Sequence, residues 1–412
     1  MLRKALNCVN LLTMKTAAII CEYNPFHNGH LTQINLIKKE LKADLILCIM
    51  SGDFVERGEP AVFDKHIRAS HALTNGADVV LMLPVFASTA SADLFSYSAV
   101  SILNRLNCID FLCFGAECDD PDRLIELSHK LESIDINSFE IKELLKKGMT
   151  FAAARASLFP EYADLLNGSN NILALEYLNA LKVYGSKIKP YIIKREGTSY
   201  NDTTLKENAL PSASAIRKAL CEGNVSSLDS YVPNDVFMSI SKETPVFLDD
   251  FSQSLYYKLL SESNYSDHLE ISGDLSNGIK KNLSSFVSFS SYIDTLKSKN
   301  LTYLRISRGL LHILLNIKGT NDSRREMIKE IECVRMLGFR NSDIVKAFFK
   351  LIDESSDIKL TVNPAKDKDS FNEATVSMID EDLFSASLYN NIYCAKSGKQ
   401  PQNDCSRKLI IV

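Results

Sequence analysis

Apolar residues in the first part of the chain fall in short unbroken runs: Ala17 to Cys21, Leu45 to Met50, Val79 to Leu83 and Phe111 to Phe114. Runs of this length, apolar at every position, predict strands buried on both faces, and the segments between them have helical length. The alternation predicts an α/β fold, a doubly wound parallel sheet whose ligands gather at the strand C-termini, where the crossover loops begin. Helix-like spacing continues over 124–145 and 151–158, and again from Ile172 to Leu181, before a last strand at Tyr191-Ile192-Ile193. After Tyr231-Val232-Pro233 the character changes. Short apolar runs mix with Ser and Asn, and the segments 247–260 and 293–318 take helical spacing. Ile344, Phe348, Phe349 and Ile352 predict a further helix and Ile358 to Val362 a further strand, while the tail beyond Phe371 is polar and weakly patterned until Leu409 to Val412. The expected division is an N-terminal extension over 1–13, disordered, a sheet domain over 14–230 and a mainly helical domain over 231–412.

The stretch that organises the rest is Glu22-Tyr23-Asn24-Pro25-Phe26-His27-Asn28-Gly29-His30, which ends the first run and leads into a helical pattern at Leu31. His27 and His30, three apart with Gly29 before the second, can aim both imidazoles at one point by the start of that helix, whose free N–H groups favour an anion there. A phosphate is the natural guest. Gly29 would let a base or ribose lie against the backbone. An isolated H-x-G-H also fits a helix cap or a metal pair, but its place between a strand and a helix favours the nucleotide reading.

Other loops fall at the same end of the expected sheet. Ser51-Gly52-Asp53-Phe54 follows the second run and Gly115-Ala116-Glu117 the fourth. Lys65 and Arg68, one helical turn apart, suit either a phosphate or carboxylate contact or a solvated helix face, and Asp53 suits either a loop cap or a substrate contact. Asn170-Asn171 opens an amphipathic helix, Lys194-Arg195-Glu196-Gly197 follows the last strand, and Ser212-Ala213-Ser214-Ala215-Ile216-Arg217 opens another helix. Free amides, hydroxyls and one guanidinium at that last site repeat the physics of the first turn; an ordinary serine N-cap is the plain alternative.

Composition narrows the class. At 412 residues, 45% hydrophobic and 24% charged, the chain is an ordinary globular protein with room for about two or three domains. No apolar run approaches the roughly 18 residues of a membrane helix. Its ten cysteines sit partly inside apolar runs and include no C-x-x-C pair, so reduced thiols and a cytoplasmic location are expected, and Cys108, Cys113 and Cys118 are not expected to bind zinc. A net charge of -4 argues against a generally sticky nucleic-acid binder. Residues 295–350, however, carry twelve Lys or Arg against five Asp or Glu, and Arg305 and Arg308 lie one turn apart beside Tyr303. This is the best-placed stretch for a phosphate clamp with a stacking ring, although such a run is usually a solvated helix face.

The segment 22–30 resembles the signature of the HIGH-type nucleotidylyltransferase superfamily, and specifically of the bacterial tRNA(Met) cytidine acetate ligase family. Met50-Ser51-Gly52-Asp53-Phe54, Arg57-Gly58-Glu59-Pro60-Ala61, Leu83-Pro84, Cys113-Phe114-Gly115-Ala116-Glu117, Asn170 to Tyr177, Arg195-Glu196-Gly197, Ser212 to Arg217 and Val362-Asn363-Pro364-Ala365-Lys366 agree in order. The resemblance implies that 14–230 is the nucleotide-binding catalytic part, with His27 and His30 catalytic. It implies an ATP site built from Ile20, Cys21, Glu22, Tyr23, Asn24, Pro25, Phe26, His27, Asn28, Gly29, His30, Leu31, Thr32 and Gln33, with Gly115, Asn170, Arg195, Ser212, Ser214 and Arg217. Asn171 is close enough to exchange roles with Asn170.

By the same resemblance, ATP, with Mg2+ on its phosphates, activates acetate as acetyl-adenylate, and the acetyl group passes to the wobble cytidine of elongator tRNA(Met), giving N4-acetylcytidine; no dedicated metal site is implied. Arg305 and Arg308 are the expected tRNA contacts. Met82, Ser98 and Asn300-Leu301 depart from the family pattern, the first two with consequences for the acyl pocket or local packing and the last for RNA contact. Two rival readings share parts of this pattern: a nucleotidylyltransferase acting on a small cofactor precursor, and a non-catalytic RNA-binding protein.

Overall fold

A computed structural model describes residues 14–118, 120–132, 142–144, 157–166, 168–194 and 212–412. The extension 1–13, Arg195 with the turn after it, and parts of the helices expected over 124–145 and 151–158 lie outside the described residues.

The apolar runs form strands β1 (Thr16–Cys21), β2 (Leu45–Ser51), β5 (Val79–Leu83), β6 (Phe111–Ala116) and β7 (Lys189–Lys194), with a two-stranded hairpin, β3 (Phe54–Val55) and β4 (Glu59–Pro60), between β2 and β5. Pairing of β1 with β2 and β6, of β2 with β5 and of β6 with β7 is parallel throughout. Neighbouring side chains on these strands point to opposite faces, and both faces are covered. Leu45, Leu47 and Ile49 pack into one core with Val79 and Leu81, whereas Ile46, Cys48 and Met50 pack into a second with Val80 and Met82. Continuous apolar runs follow directly from this double burial.

The sheet does not stop at the expected boundary near residue 230. β8 (Cys333–Phe339) lies antiparallel beside β5, and β9 (Lys359–Thr361) and β10 (Ile410–Ile411) pair parallel with β8, giving the order β10-β8-β5-β2-β1-β6-β7. β9 and the helix before it, Asp343–Ser355, match the expected pattern; β8 was hidden because Arg335 and Gly338 interrupt its run. The segment expected over 247–260 forms the helix Ser252–Ser261 after a single 3-10 turn, whereas 293–318 is split between helices Phe289–Leu296 and Tyr303–Leu314. Phe251, Leu255, Ile306 and Leu310 bury their apolar sides in the core that also holds Phe54, Val85 and Phe86.

The weakly patterned tail is a 25-residue helix, Glu373–Ser397, followed by a strap that ends in β10. Its buried stripe contains Thr375, Asp382 and Ser385 among Met378, Ile379, Ala386 and Tyr389, which erases the apolar periodicity. These polar groups have partners. The Asp382 carboxylate accepts the Val85 N–H at 2.7 Å, and the Tyr389 hydroxyl donates to the Ala61 carbonyl at 2.7 Å.

Gly338 shows how tightly the strap is seated: a Cβ there would lie 2.6 Å from the Ile410 carbonyl oxygen and 2.8 Å from Leu73 Cδ1. Gly338→Val is therefore expected to cost about 1–3 kcal/mol through overpacking, read as a lowered denaturant midpoint with unchanged slope. An unchanged midpoint would show that β10 does not pack against β8 in this way.

Candidate functional site

The chain leaves β1 through a tight turn. Tyr23 takes a left-handed backbone (φ 48°), the Asn24-Pro25 peptide is cis, and Asn24 accepts the Val62 N–H at 2.8 Å. Helix α1 (Asn28–Leu36) then begins with His27 as its N-cap. Nδ1 of His27 accepts the Gly29 N–H at 3.0 Å, and Nδ1 of His30 accepts the His27 N–H at 3.3 Å. The two rings stack with centroids 3.7 Å apart. With each Nδ1 used as an acceptor, the hydrogen of each neutral ring sits on Nε2. Gly29 leaves room for this stack, since a Cβ there would fall 2.9 Å from His27 Cε1. Phe26, fully buried, braces Tyr23 and His30 at 4.9 and 5.6 Å between ring centroids.

A cleft of about 490 Å³ opens at this turn. His27, Gly29, His30, Thr32 and Gln33 line it, with Ile20, Cys21, Glu22, Tyr23 and Asn24 from the end of β1, Gly115 from β6 and Asn170 from the helix Ser169–Val183. Pro25, Phe26, Asn28 and Leu31 are not among the lining residues; Asn28 instead ties α1 to the chain near residue 230 through its backbone N–H on Tyr231 and its side chain on Ser230, both at 3.0 Å. Asn170 donates to the Glu117 carboxylate at 2.6 Å, whereas the buried Asn171 accepts the Glu117 backbone N–H at 2.8 Å. The pair is therefore not interchangeable.

The helix Ala213–Cys221 comes to the same cleft, where Arg217 lines the wall and donates to the Asn24 carbonyl at 3.0 Å. Ser214 accepts from Arg217 at 3.2 Å and from Arg57 at 3.1 Å. Ser212, 2% exposed, caps the helix by accepting the Ala215 N–H at 3.1 Å, so the plain N-cap alternative describes its hydroxyl. Residues given no site role by the pattern also line the cleft: Glu56 and Arg57 at the hairpin tip, Lys194 at the end of β7, and the apolar Phe95, Tyr177 and Leu304. No spacing marks Glu56 and Arg57, because a turn of about two residues carries no periodic signal.

Several expected cations are committed elsewhere. Helix α2 (Lys65–Thr74) presents neither Lys65 nor Arg68 to solvent or to the cleft. Lys65 pairs with Asp53 at 2.6 Å and with Asp404 of the C-terminal strap at 2.8 Å. Burial alone would lower the proton affinity of Lys65, but the two carboxylates outweigh it. Asp404, although buried, is held well below the usual carboxylate range by Lys65, His66 and Arg335. Arg68, 0% exposed, donates to the backbone carbonyls of Glu22, Ser51, Gly52 and Phe63.

Arg308, expected beside Arg305 as a phosphate clamp, is 12% exposed and lies between Glu270 at 2.7 Å and Glu56 at 3.3 Å. Arg305, in contrast, is exposed. Arg324, Arg325 and Arg335 are likewise engaged by Glu381, Asp93 and Asp404, so much of the local positive excess is neutralised internally. Met82 and Ser98 are buried and do not line the cleft. Asn300 is exposed, and Leu301 is bridged to Ser298.

A family model described as HIGH Nucleotidyl Transferase matches residues 14–404. A tRNA(Met) cytidine acetate ligase of Clostridium perfringens is 35% identical over 396 residues, covering 92% of this chain and 95% of its own length. The chain belongs to the tRNA(Met) cytidine acetate ligase family of HIGH nucleotidyl transferases. A second ligase of this name, from a Thermoanaerobacter species, is 35% identical over 92% of this chain and 96% of its own. The crystal structure of Thermotoga maritima TmcAL without ligand superposes with a TM-score of 0.88 at 27% identity, covering 97% of this chain and 100% of that one. The same protein bound with alpha-thio ATP superposes with a TM-score of 0.86.

Within this ligase-family fold, the cleft has a carboxyl that titrates near neutrality. Burial pushes Glu56 from its ordinary value up to about 7, against the pull of Arg308 and with help from Glu22 and Glu270. The folded chain thus keeps a proton on Glu56 that the unfolded chain has already released. Its stabilising contribution is complete below the unfolded pKa and is lost as pH rises through about 7. Wild type should therefore lose denaturant stability relative to Glu56→Gln between about pH 5 and about pH 8. A gap that stays constant across that window would place the titration elsewhere.

Proposed function

We propose that this protein uses ATP to activate acetate as acetyl-adenylate and then acetylates the wobble cytidine of elongator tRNA(Met), forming N4-acetylcytidine. One observation carries the reading: the histidine pair at the β1 turn and Arg217 of a helix almost two hundred residues later line a single cleft, in a chain that matches tRNA(Met) cytidine acetate ligases over nearly its whole length. The ATP site in this reading is the set of cleft residues from Ile20 to Gln33 together with Gly115, Asn170, Ser214 and Arg217, with Arg195 beyond the described residues.

An acetate oxygen attacks the α-phosphorus, its bond to phosphorus forms, and the bond to the β-phosphate oxygen breaks with its electron pair leaving on pyrophosphate. His27 and His30, each carrying hydrogen on Nε2, donate to the phosphoryl oxygens as charge builds there, and Arg217 holds the outer phosphates. The exocyclic amine of the cytidine then attacks the acyl carbon and AMP departs. Among the described residues no group of three or more His, Cys, Asp or Glu side chains is arranged to hold a metal. In this reading Mg2+ would arrive with the nucleotide and neutralise phosphate charge. Arg305, exposed and next to the cleft-lining Leu304, is the proposed tRNA contact, while Arg308 is a structural strut.

Purified protein incubated with labelled acetate, ATP and total tRNA should yield label as N4-acetylcytidine, and should exchange labelled pyrophosphate into ATP only when acetate is present. His27→Ala and His30→Ala should each slow that exchange by about 10²–10³-fold, the cost of removing one positioned donor. Exchange that ignores acetate would favour the small-precursor nucleotidylyltransferase. Absence of any turnover with carboxylates would favour the non-catalytic RNA-binding protein.

A further inference from the structure

We infer that Arg57, at the tip of the β3–β4 hairpin, is a pyrophosphate-holding residue that works as a pair with Arg217; the inference rests on the adenylate-forming reading above. Two cleft-lining guanidinium groups converge on one hydroxyl, Arg57 Nη1 at 3.1 Å and Arg217 Nη2 at 3.2 Å from Ser214 Oγ. Like charges held this close repel, and a cleft that keeps them together is matched to a polyanion between them. Glu22, which lines the same wall, faces both arginines, and Glu56 also faces Arg57.

The hairpin that carries Arg57 is held on both sides. The Gly58 N–H donates to the Val55 carbonyl at 2.9 Å, closing a turn with Glu56 and Arg57 at its centre. On one side Glu22 accepts the Glu56 backbone N–H at 2.9 Å, which ties the turn to the end of β1. On the other side the helix Tyr303–Leu314 grips it: Ser307 donates to the Gly58 carbonyl at 2.8 Å, and Arg308 pairs with the Glu56 carboxylate. Gly58 has φ +75°, and a Cβ there would meet the Arg308 nitrogen at 2.4 Å, so the turn and this helix are in backbone contact. Glu22 and Arg308 are thus positioning residues for Arg57, and the helical region completes the phosphate cradle from outside the parallel sheet.

During adenylation the developing charge on the departing pyrophosphate oxygens is what Arg57 and Arg217 meet together; no bond to the protein forms. The test compares full-length wild type, Arg57→Ala and Arg57→Lys in two half-reactions: acetate-dependent exchange of labelled pyrophosphate into ATP, and acetyl transfer from synthetic acetyl-adenylate to tRNA, where pyrophosphate takes no part. Arg57→Ala should raise the KM for pyrophosphate and lower kcat/KM for exchange by about 100-fold, and Arg57→Lys, which keeps the charge but loses the fork, by about 10-fold. Acetyl transfer from the preformed adenylate should be unchanged in both. A pyrophosphate KM within about twofold of wild type in folded variants, or equal loss in both half-reactions, overturns the assignment. A wild type without acetate-dependent exchange overturns instead the reaction on which it rests.

Discussion

Four backbone carbonyls, those of the cleft-lining Glu22 and of Ser51, Gly52 and Phe63, converge on the guanidinium of Arg68. The parallel ladder between β1 and β2 ends at Cys21 and Met50, so the Glu22 and Gly52 carbonyls belong to chain that has just left the sheet, while Ser51 ends β2 opposite Leu83 of β5 and Phe63 follows the hairpin. A fully buried arginine supplies donors in a fixed fork, and carbonyl dipoles stabilise its charge without adding a counterion to the cleft. Everything that faces the nucleotide site follows from this. The β1 turn can present His27 and His30 only if its entry is fixed, and the hairpin carrying Arg57 starts two residues beyond Gly52.

The same economy explains how the C-terminal strap is joined to α2. Lys65, the first residue of that helix, is shared between Asp53 of the loop after β2 and Asp404 of the strap, and Arg335 from β8 reaches the same Asp404. Removing any one of these charges would leave its partners buried and uncompensated, the costly way to break such a pair. The strap, the added strands β8 and β10 and the loop after β2 therefore form one electrostatic unit. The chain beyond residue 230 is part of what holds the site.

Strands buried on both faces were legible because double burial demands apolar residues at every position, as in Leu45 to Met50. The β1 turn was legible because its chemistry needs particular residues at particular offsets. The C-terminal contribution was not, and the reason is specific. β8 carries Arg335 because that side chain answers a buried aspartate, and the helix Glu373–Ser397 carries Thr375, Asp382 and Ser385 on its inward stripe because they bond to backbone. Buried polar groups with distant partners look, one residue at a time, like surface. Arg308 is the reverse case: its carboxylates, Glu56 and Glu270, lie far away in sequence, so beside Arg305 it looks like a free cation.

The arrangement of Glu56, Arg57 and Arg308 follows from these constraints. The hairpin tip must bring a cation to the cleft, but a turn of this size has too few backbone hydrogen bonds to hold one long side chain in place. The surrounding structure supplies the rigidity. Glu22 holds the turn from the β1 side, and Ser307 and Arg308 hold it from the helical side. A site assembled between two regions in this way has its geometry set by how they pack. Small displacements of the helix Tyr303–Leu314, whose exposed Arg305 is the tRNA contact in this reading, would be transmitted to the cleft through backbone contact at Gly58, since close-packed elements shift together rather than deform.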